Sequence, residues 1–194
     1  VVYFVGELVW RERDARLSEN VDTTPTPEWV FLLGKFVGLG LVLAGLMVSM
    51  TAVGMITQVI AGYYDFQLGQ YAQILLGLQL PEYLLFAVLV FLIHAVVNQK
   101  YLGLLVSLVA YLSVILGPFL GLEHKLLVYS ASPDWSFTDM RGFGGSIGPW
   151  IWFKLYWAAW ALLLAVVARL FWVRGRESGF GTRVRLARRR FTRA

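Results

Sequence analysis

Residues Phe36 to Tyr64, FVGLGLVLAGLMVSMTAVGMITQVIAGYY, decide the class of this protein because they form a run of 29 residues without a charged side chain. Two further uncharged runs follow, one of 17 residues from Tyr83 to Gln99 and one of 22 residues from Tyr101 to Leu122. A helix crosses a hydrocarbon core of about 30 Å with about 20 mostly apolar residues. These runs therefore predict helices that span a membrane.

The composition of the whole chain agrees with this prediction. Of its 194 residues, 58% are hydrophobic and 15% are charged, whereas a soluble domain carries about 25% charged residues. The runs are apolar on every side, which excludes the alternating strands of a membrane β-barrel. Cysteine is absent, which excludes a disulfide framework, a thiolate metal site and a cysteine nucleophile. The predicted fold is an all-α, polytopic transmembrane helical bundle.

The boundaries of the bundle follow from the charged and helix-breaking residues. We predict four complete spans, at about 29–61, 83–97, 101–118 and 150–173, and the end of a fifth helix in residues 1–9. A helix along the far membrane surface is expected for residues 65–82, and a long loop for residues 120–148. The chain starts at Val1 without a methionine, so we expect a partial transmembrane domain (1–173) from a longer protein, followed by a basic segment (174–194).

The distribution of basic residues predicts the orientation. Fourteen Lys and Arg side chains fall on one side of the predicted spans and three on the other, and the richer side is normally cytoplasmic. This places residues 10–28, 98–100 and 174–194 in the cytoplasm. From Arg174 to Arg193 there are eight arginines and one acid, Glu177. Because this block directly follows an apolar helix, it indicates topology and attraction to membrane lipids rather than nucleic-acid binding.

A second helical pattern lies near the amino end. Trp10, Leu17 and Val21 recur at spacings of seven and four residues, which predicts a narrow apolar stripe on an otherwise charged helix. Such an amphipathic helix lies along a membrane surface or against a partner. A solvated charged loop is the alternative.

The sequence offers no catalytic residue, metal site or cofactor site. It holds two histidines, His94 and His124, and it contains neither an H-E-x-x-H pattern nor a Walker A pattern. We therefore expect no enzyme activity from this segment. His94 lies within a predicted span and is either a functional polar site or a neutral imidazole bonded to a neighbouring helix. Glu123 and His124 form a polar network, a proton site or a surface cluster.

Several motifs follow one another near the amino end, namely Glu7-Leu8-Val9-Trp10-Arg11-Glu12-Arg13-Asp14-Ala15-Arg16-Leu17, Val21-Asp22, Pro25-Thr26-Pro27 and Gly34-Lys35. In this order they resemble a known family, the ABC-2 type permeases. A longer set, which adds NQKYLG (98–103), GLEHKL (121–126), WFKLYW (152–157) and FWVRG (171–175), is similar to the bacterial permeases fused to a gluzincin-type zinc aminopeptidase domain.

The resemblance implies a transport function in the bacterial cytoplasmic (inner) membrane. The chain would be a permease that couples ATP hydrolysis by a separate nucleotide-binding subunit to substrate export, paired with a second permease half or a second copy of itself. The contact with the ATPase would be a cytosolic coupling helix that includes Trp10, Arg11, Glu12, Arg13, Arg16 and Leu17. The aminopeptidase domain and its zinc ligands lie outside this sequence.

Two rival functions stay open at this point. One is a membrane anchor that presents an attached aminopeptidase without transport. The other is an ion-coupled secondary transporter, which requires ionisable residues at mid-depth; only His94 meets that requirement.

Overall fold

The structure is a computed structural model that describes residues 1–15, 26–117, 119, 121, 124–138, 140–172 and 180–191. Within these ranges it contains helices and no strand, apart from an isolated bridge between Thr138 and Gly142. The predicted all-α class is therefore confirmed.

Nine helical elements follow one another along the described chain. They are α1 (Val2–Asp14), α2 (Glu28–Ile60), α3 (Leu68–Tyr71), a π-helical segment (Ala72–Gln79), α4 (Leu80–Val97), α5 (Lys100–Leu116), a 3-10 turn (Gly144–Ser146), α6 (Ile147–Phe171) and α7 (Phe180–Phe191). The helix α7 lies in the basic segment, for which the sequence predicted no helix.

Three helical stretches in the described part of the chain are long and apolar enough to cross a membrane. They run over Trp29–Ile60, Leu68–Val97 and Gly144–Phe171, and they identify a multi-pass membrane protein. The predicted span at 101–118 corresponds to α5, an apolar helix of 17 residues, which is at the lower limit for a crossing. The predicted count of four complete spans and part of a fifth is thus not confirmed.

The structure differs from the sequence analysis in residues 65–82. There, α3 and the π-helical segment continue into α4 and form one stretch from Leu68 to Val97. Pro81 falls at the second residue of α4, next to the change from π to α hydrogen bonding. Proline lacks the backbone N–H group, and this loss costs least where the helix changes from one hydrogen-bonding pattern to another. Pro81 therefore does not end the helix.

The helix α4 is the centre of the bundle. Its residues Phe86, Val90 and Phe91 pack with Val5 of α1 and Leu39 of α2 in the main buried cluster. On another side of α4, Leu85 packs with Trp157 and Ala161 of α6. The core therefore joins α1, α2 and α6 to one helix.

The bundle has two ends, which differ in composition. At the polar end, α1, α4 and α6 finish and α2 and α5 begin; α7 also lies there. At the loop end, α2 and α5 finish, α6 begins, and the segment 124–138 contacts α4 and α6.

Candidate functional site at the polar end

A cluster of polar side chains joins α1 to its neighbours at the polar end. The polar cluster consists of Glu7, Trp10, Glu12, Arg13, Asp14, Lys35, His94, Asn98 and Lys100. Five of these nine residues lie on the α1 helix. Since no helix breaker separates Val9 from Trp10, the predicted coupling segment begins inside α1 rather than as a separate helix.

The centre of the polar cluster is a buried hydrogen bond between Trp10 and His94. The indole Nε1 of Trp10 donates to Nδ1 of His94 at 3.1 Å, and the two residues expose 8% and 1% of their surface. An indole N–H only donates, so Nδ1 accepts and the ring proton of the neutral imidazole lies on Nε2. That Nε2 has no hydrogen-bond partner among the described residues.

Two glycines make room for the imidazole ring. A Cβ atom on Gly103 of α5 would overlap Nδ1 of His94, and a Cβ atom on Gly6 of α1 would lie 3.3 Å from Nε2. The ring is thus held between two backbones that approach it closely. Gly103 belongs to the NQKYLG motif, but its role there is visible only once α4 and α5 are packed.

Ion pairs surround this centre. Lys100 of α5 lies 2.6 Å from Oδ2 of Asp14 and 2.8 Å from Oε1 of Glu7, and hydrogen bonds to Asp14 and Glu7 raise the pKa of Lys100. Lys35 of α2 lies 3.0 Å from Oε2 of Glu12. These contacts tie both faces of the end of α1 to different helices.

Arg13 connects the polar cluster to the end of α4. Its guanidinium donates to Oδ1 of Asn98 at 2.7 Å and lies 4.8 Å from the centre of the Trp10 ring. Asn98 is the C-cap residue of α4, with a left-handed φ of 51°, a conformation that asparagine tolerates. The same residue therefore ends α4 and binds α1.

Arg183 of α7 closes the polar end, and the sequence analysis did not identify it. Its guanidinium donates to the carbonyl of Ala95, to that of Val96 at 2.8 Å and to that of Phe171 at 3.1 Å. These carbonyls belong to the last turns of α4 and α6, where intrahelical donors are lacking. Burial, followed by the like charge of Arg13, lowers the pKa of Arg183.

The structure separates the residues that the sequence proposed as one coupling surface. Trp10, Glu12 and Arg13 make contacts within the bundle, whereas Arg11 is exposed. Arg16 and Leu17 lie outside the described residues.

The polar residues that the sequence singles out, His94 in one place and Glu123 with His124 in another, do not form one site among the described residues. His94 is buried at the polar end, while His124 is exposed beyond the other end of α5. A helix of 17 residues is about 25 Å long, so the two histidines are not neighbours. Glu123 lies outside the described residues.

At the loop end, side chains bind the backbone of the 124–138 segment. Lys154 of α6 is buried and donates to the Ser130 carbonyl at 2.7 Å, with Glu82 of α4 at 3.5 Å. The Tyr129 hydroxyl donates to the Leu85 carbonyl at 2.9 Å. Burial raises the pKa of Tyr129 to about 12, so the phenol keeps the proton that it donates.

An apolar crevice of about 810 Å³ runs between α2, α4 and α6. Its described lining contains two charged residues, Lys154 toward the loop end and Arg169 toward the polar end. The crevice is of a size that accommodates small ligands, and its walls suit a hydrophobic molecule.

Comparison with known proteins bears on the part of the structure from α1 to α5. A family model described as "ABC-2 family transporter protein" matches residues 1–118, which is more than half of the chain and includes every residue of the polar cluster. No curated protein and no solved structure gives a significant match. The chain belongs to the ABC-2 transporter family and is a multi-pass membrane component of that kind of transporter.

Proposed function

We propose that this chain is the permease component of an ABC exporter in a bacterial inner membrane and that a separate nucleotide-binding subunit drives it. In this proposal the polar end faces the cytoplasm, as the excess of basic residues there favours. The chain itself hydrolyses neither ATP nor peptides. A second permease half or a second copy of the chain completes the transporter.

The observation that carries the proposal is the attachment of α1 to three other helices. Glu12 binds Lys35 of α2, Trp10 binds His94 of α4, and Asp14 binds Lys100 of α5. A force applied to the end of α1 therefore acts on three helix ends at once. An ATPase that closes on ATP needs a rigid contact of this kind to move membrane helices. Because packed interfaces have discrete arrangements, a small shift of α1 can change the packing of all three helices together.

Within this proposal, docking and transmission use different residues. Arg11 is exposed and, with the predicted positions Arg16 and Leu17, is assigned to the surface that binds the ATPase. Exposed charges of this kind orient docking and raise its rate, so we expect their loss to slow assembly and to leave less of the complex formed. Trp10 and Glu12 face the bundle and are assigned to transmission.

The experiment uses the full-length permease with its ATPase subunit in lipid nanodiscs. We expect R11A/R16A to lower the amount of ATPase subunit that co-purifies. We expect W10F to leave co-purification unchanged. We also expect it to reduce the stimulation of ATP hydrolysis, which is the rate of the complex divided by that of the isolated ATPase, because the Trp10 hydrogen bond is lost. K125A, at the loop end, is the control for a lost surface cation.

Two results would contradict the proposal. Normal assembly and normal ATP hydrolysis in both variants would remove α1 from the coupling path. A purification that never yields a nucleotide-binding subunit would instead favour the rival role, in which the bundle anchors a fused aminopeptidase and transports nothing.

A further inference from the structure

The basic helix α7 has two faces with different tasks. Arg183 and Arg190, seven residues apart, bind backbone carbonyls of the bundle, and Ala187 between them is buried. Seven residues correspond to two helical turns, so these three side chains form one stripe. This stripe attaches α7 to the bundle and defines the orientation of the helix.

The other face of α7 is exposed and basic. Arg185, Arg188 and Arg189 are exposed, and Val184 beside them exposes 41% of its surface. Their spacing of three and four residues places the three arginines on neighbouring positions of the helix surface. The helix contains no acid, and the segment 174–193 contains eight arginines and one acid, Glu177, which gives it a net charge of +7.

The attachment sets the level of α7 relative to the membrane. Arg190 donates to the Trp172 carbonyl at 2.7 Å, and Arg183 donates to the Phe171 carbonyl at 3.1 Å. These acceptors lie at the end of the apolar stretch Gly144–Phe171. The exposed face of α7 is therefore held where the hydrocarbon core meets the headgroup region.

We propose that Arg185, Arg188 and Arg189 of α7 form a binding surface for the phosphate groups of anionic phospholipids in the leaflet at the polar end. A basic helix next to a span attracts anionic lipid, and the exposed Val184 suits the boundary between headgroups and acyl chains. The position at the membrane level favours lipid over nucleic acid or an acidic protein. The inference does not depend on the proposed coupling to an ATPase.

Lipid binding at α7 would also act on the polar cluster. Arg183 connects α7 to the last turn of α4, and Asn98, which binds Arg13, follows that turn directly. A lipid that holds α7 in place therefore holds the end of α4 next to α1. The position of α4 beside the polar cluster therefore depends on whether the membrane contains anionic lipid.

The test compares the full-length protein in nanodiscs of phosphatidylcholine alone and of equal parts phosphatidylcholine and phosphatidylglycerol. Hydrogen exchange of residues 180–191 is measured in both, together with the ratio of the two lipids that co-isolate with the protein from mixed micelles. We expect slower exchange of α7 amides with phosphatidylglycerol and a return toward the uncharged-lipid rate at high salt, which screens exposed charges.

Variants show whether the protection by phosphatidylglycerol depends on Arg185, Arg188 and Arg189. R185Q/R188Q/R189Q keeps Arg183 and Arg190, and we expect it to lose the phosphatidylglycerol-dependent protection and to lower the preference for that lipid about tenfold or more. R185K/R188K/R189K, which keeps the charge, is expected to retain most of both. R141Q, which removes a cation from the 140–146 segment at the loop end, is the control and should behave as wild type.

Three outcomes would overturn the inference. The first is equal exchange of α7 in both nanodiscs, and the second is a glutamine variant that matches wild type. The third is protection of α7 in phosphatidylcholine nanodiscs that arises only after addition of an RNA oligomer or of the ATPase subunit, which would assign the surface to that partner.

Discussion

The two ends of the bundle are held by different kinds of contact. Around α1 at the polar end, side chains of neighbouring helices bind one another, as Trp10 binds His94 and Glu12 binds Lys35. At the loop end, buried side chains attach the 124–138 segment through backbone carbonyls, as Lys154 binds that of Ser130. Carbonyls also hold α7 at the polar end, through Arg183, whereas the contacts described for α1 join side chains. A side-chain partner moves by changing rotamer, whereas a carbonyl moves only with its chain. The attachment of the 124–138 segment is therefore the more rigid one, and the attachment of α1 at the polar end is suited to movement.

This difference predicts where a substitution costs stability and where it costs function. Loss of a buried contact at the loop end leaves a carbonyl or a carboxylate without its partner, which lowers the free energy of unfolding. Loss of a side-chain pair at the polar end is expected to change the communication between helices while the core around α4 persists.

The largest effect is expected for K154A at the loop end. The Lys154 ammonium is buried, and its removal leaves the Ser130 carbonyl unpaired and Glu82 without its cation. Breaking a buried pair costs about 3–5 kcal/mol; since Glu82 is half exposed, we expect about 2–3 kcal/mol. Thermal unfolding in detergent measures the loss.

The matched control for K154A is K125A. Lys125 also pairs with a carboxylate at the loop end, but its partner Asp134 is 99% exposed. An exposed pair contributes about 0–1 kcal/mol, so K125A should unfold close to the wild-type temperature. If the two variants are equally stable, burial of Lys154 does not hold the loop end, and the contrast between the ends is lost.

A smaller loss is expected for G103A at the polar end. The added Cβ overlaps Nδ1 of His94, so the imidazole shifts and its hydrogen bond to Trp10 weakens. Overpacking of this kind costs about 1–3 kcal/mol, and the ATP hydrolysis of the complex should fall together with the stability. Thermal unfolding and ATPase assays on the same preparation measure both.

G45A supplies the control for the glycine substitution. Gly45 also lies inside an apolar helix, but nothing lies within 4 Å of the added Cβ. Alanine favours a helix over glycine by up to about 1 kcal/mol, so G45A should be as stable as wild type or more stable. A G103A protein that unfolds like G45A would mean that His94 is not confined by the backbone of α5.

The sequence predicted the apolar helices well because their signal is local. The span predicted at 29–61 is the helix Trp29–Ile60, since a long uncharged run has no stable alternative in a membrane. The apolar stretch that contains the span predicted from about Tyr83 begins earlier, at Leu68. The prediction placed the start later because Pro81 and the polar glutamines before it resemble a helix boundary. Whether a proline ends a helix depends on the hydrogen bonds around it, which the sequence does not contain.

The polar cluster was predictable only in part. The charged segment after Val9 was identified, but the inward direction of Trp10 depends on His94, which lies 84 residues away in the chain. Arg183 gave no signal at all, since its acceptors are backbone carbonyls near residue 96 and any sequence supplies carbonyls. Contacts between distant side chains and backbone atoms arise from packing, and a single sequence does not reveal them.

The smallest effect, and the sharpest test of the polar end, concerns pH. Because Asp14 and Glu7 raise the pKa of Lys100 above its ordinary value of 10.5, the pair contributes its full stability below that value and loses it only as the pH rises through the raised pKa. Stability at the polar end should therefore not change between neutral pH and pH 9 through this lysine. Unfolding midpoints of wild type and K100M, measured across that range, should differ by a constant amount. A difference that already changes below pH 9 would mean that folding lowers the pKa of Lys100, which is the opposite of what ion pairs with Asp14 and Glu7 do.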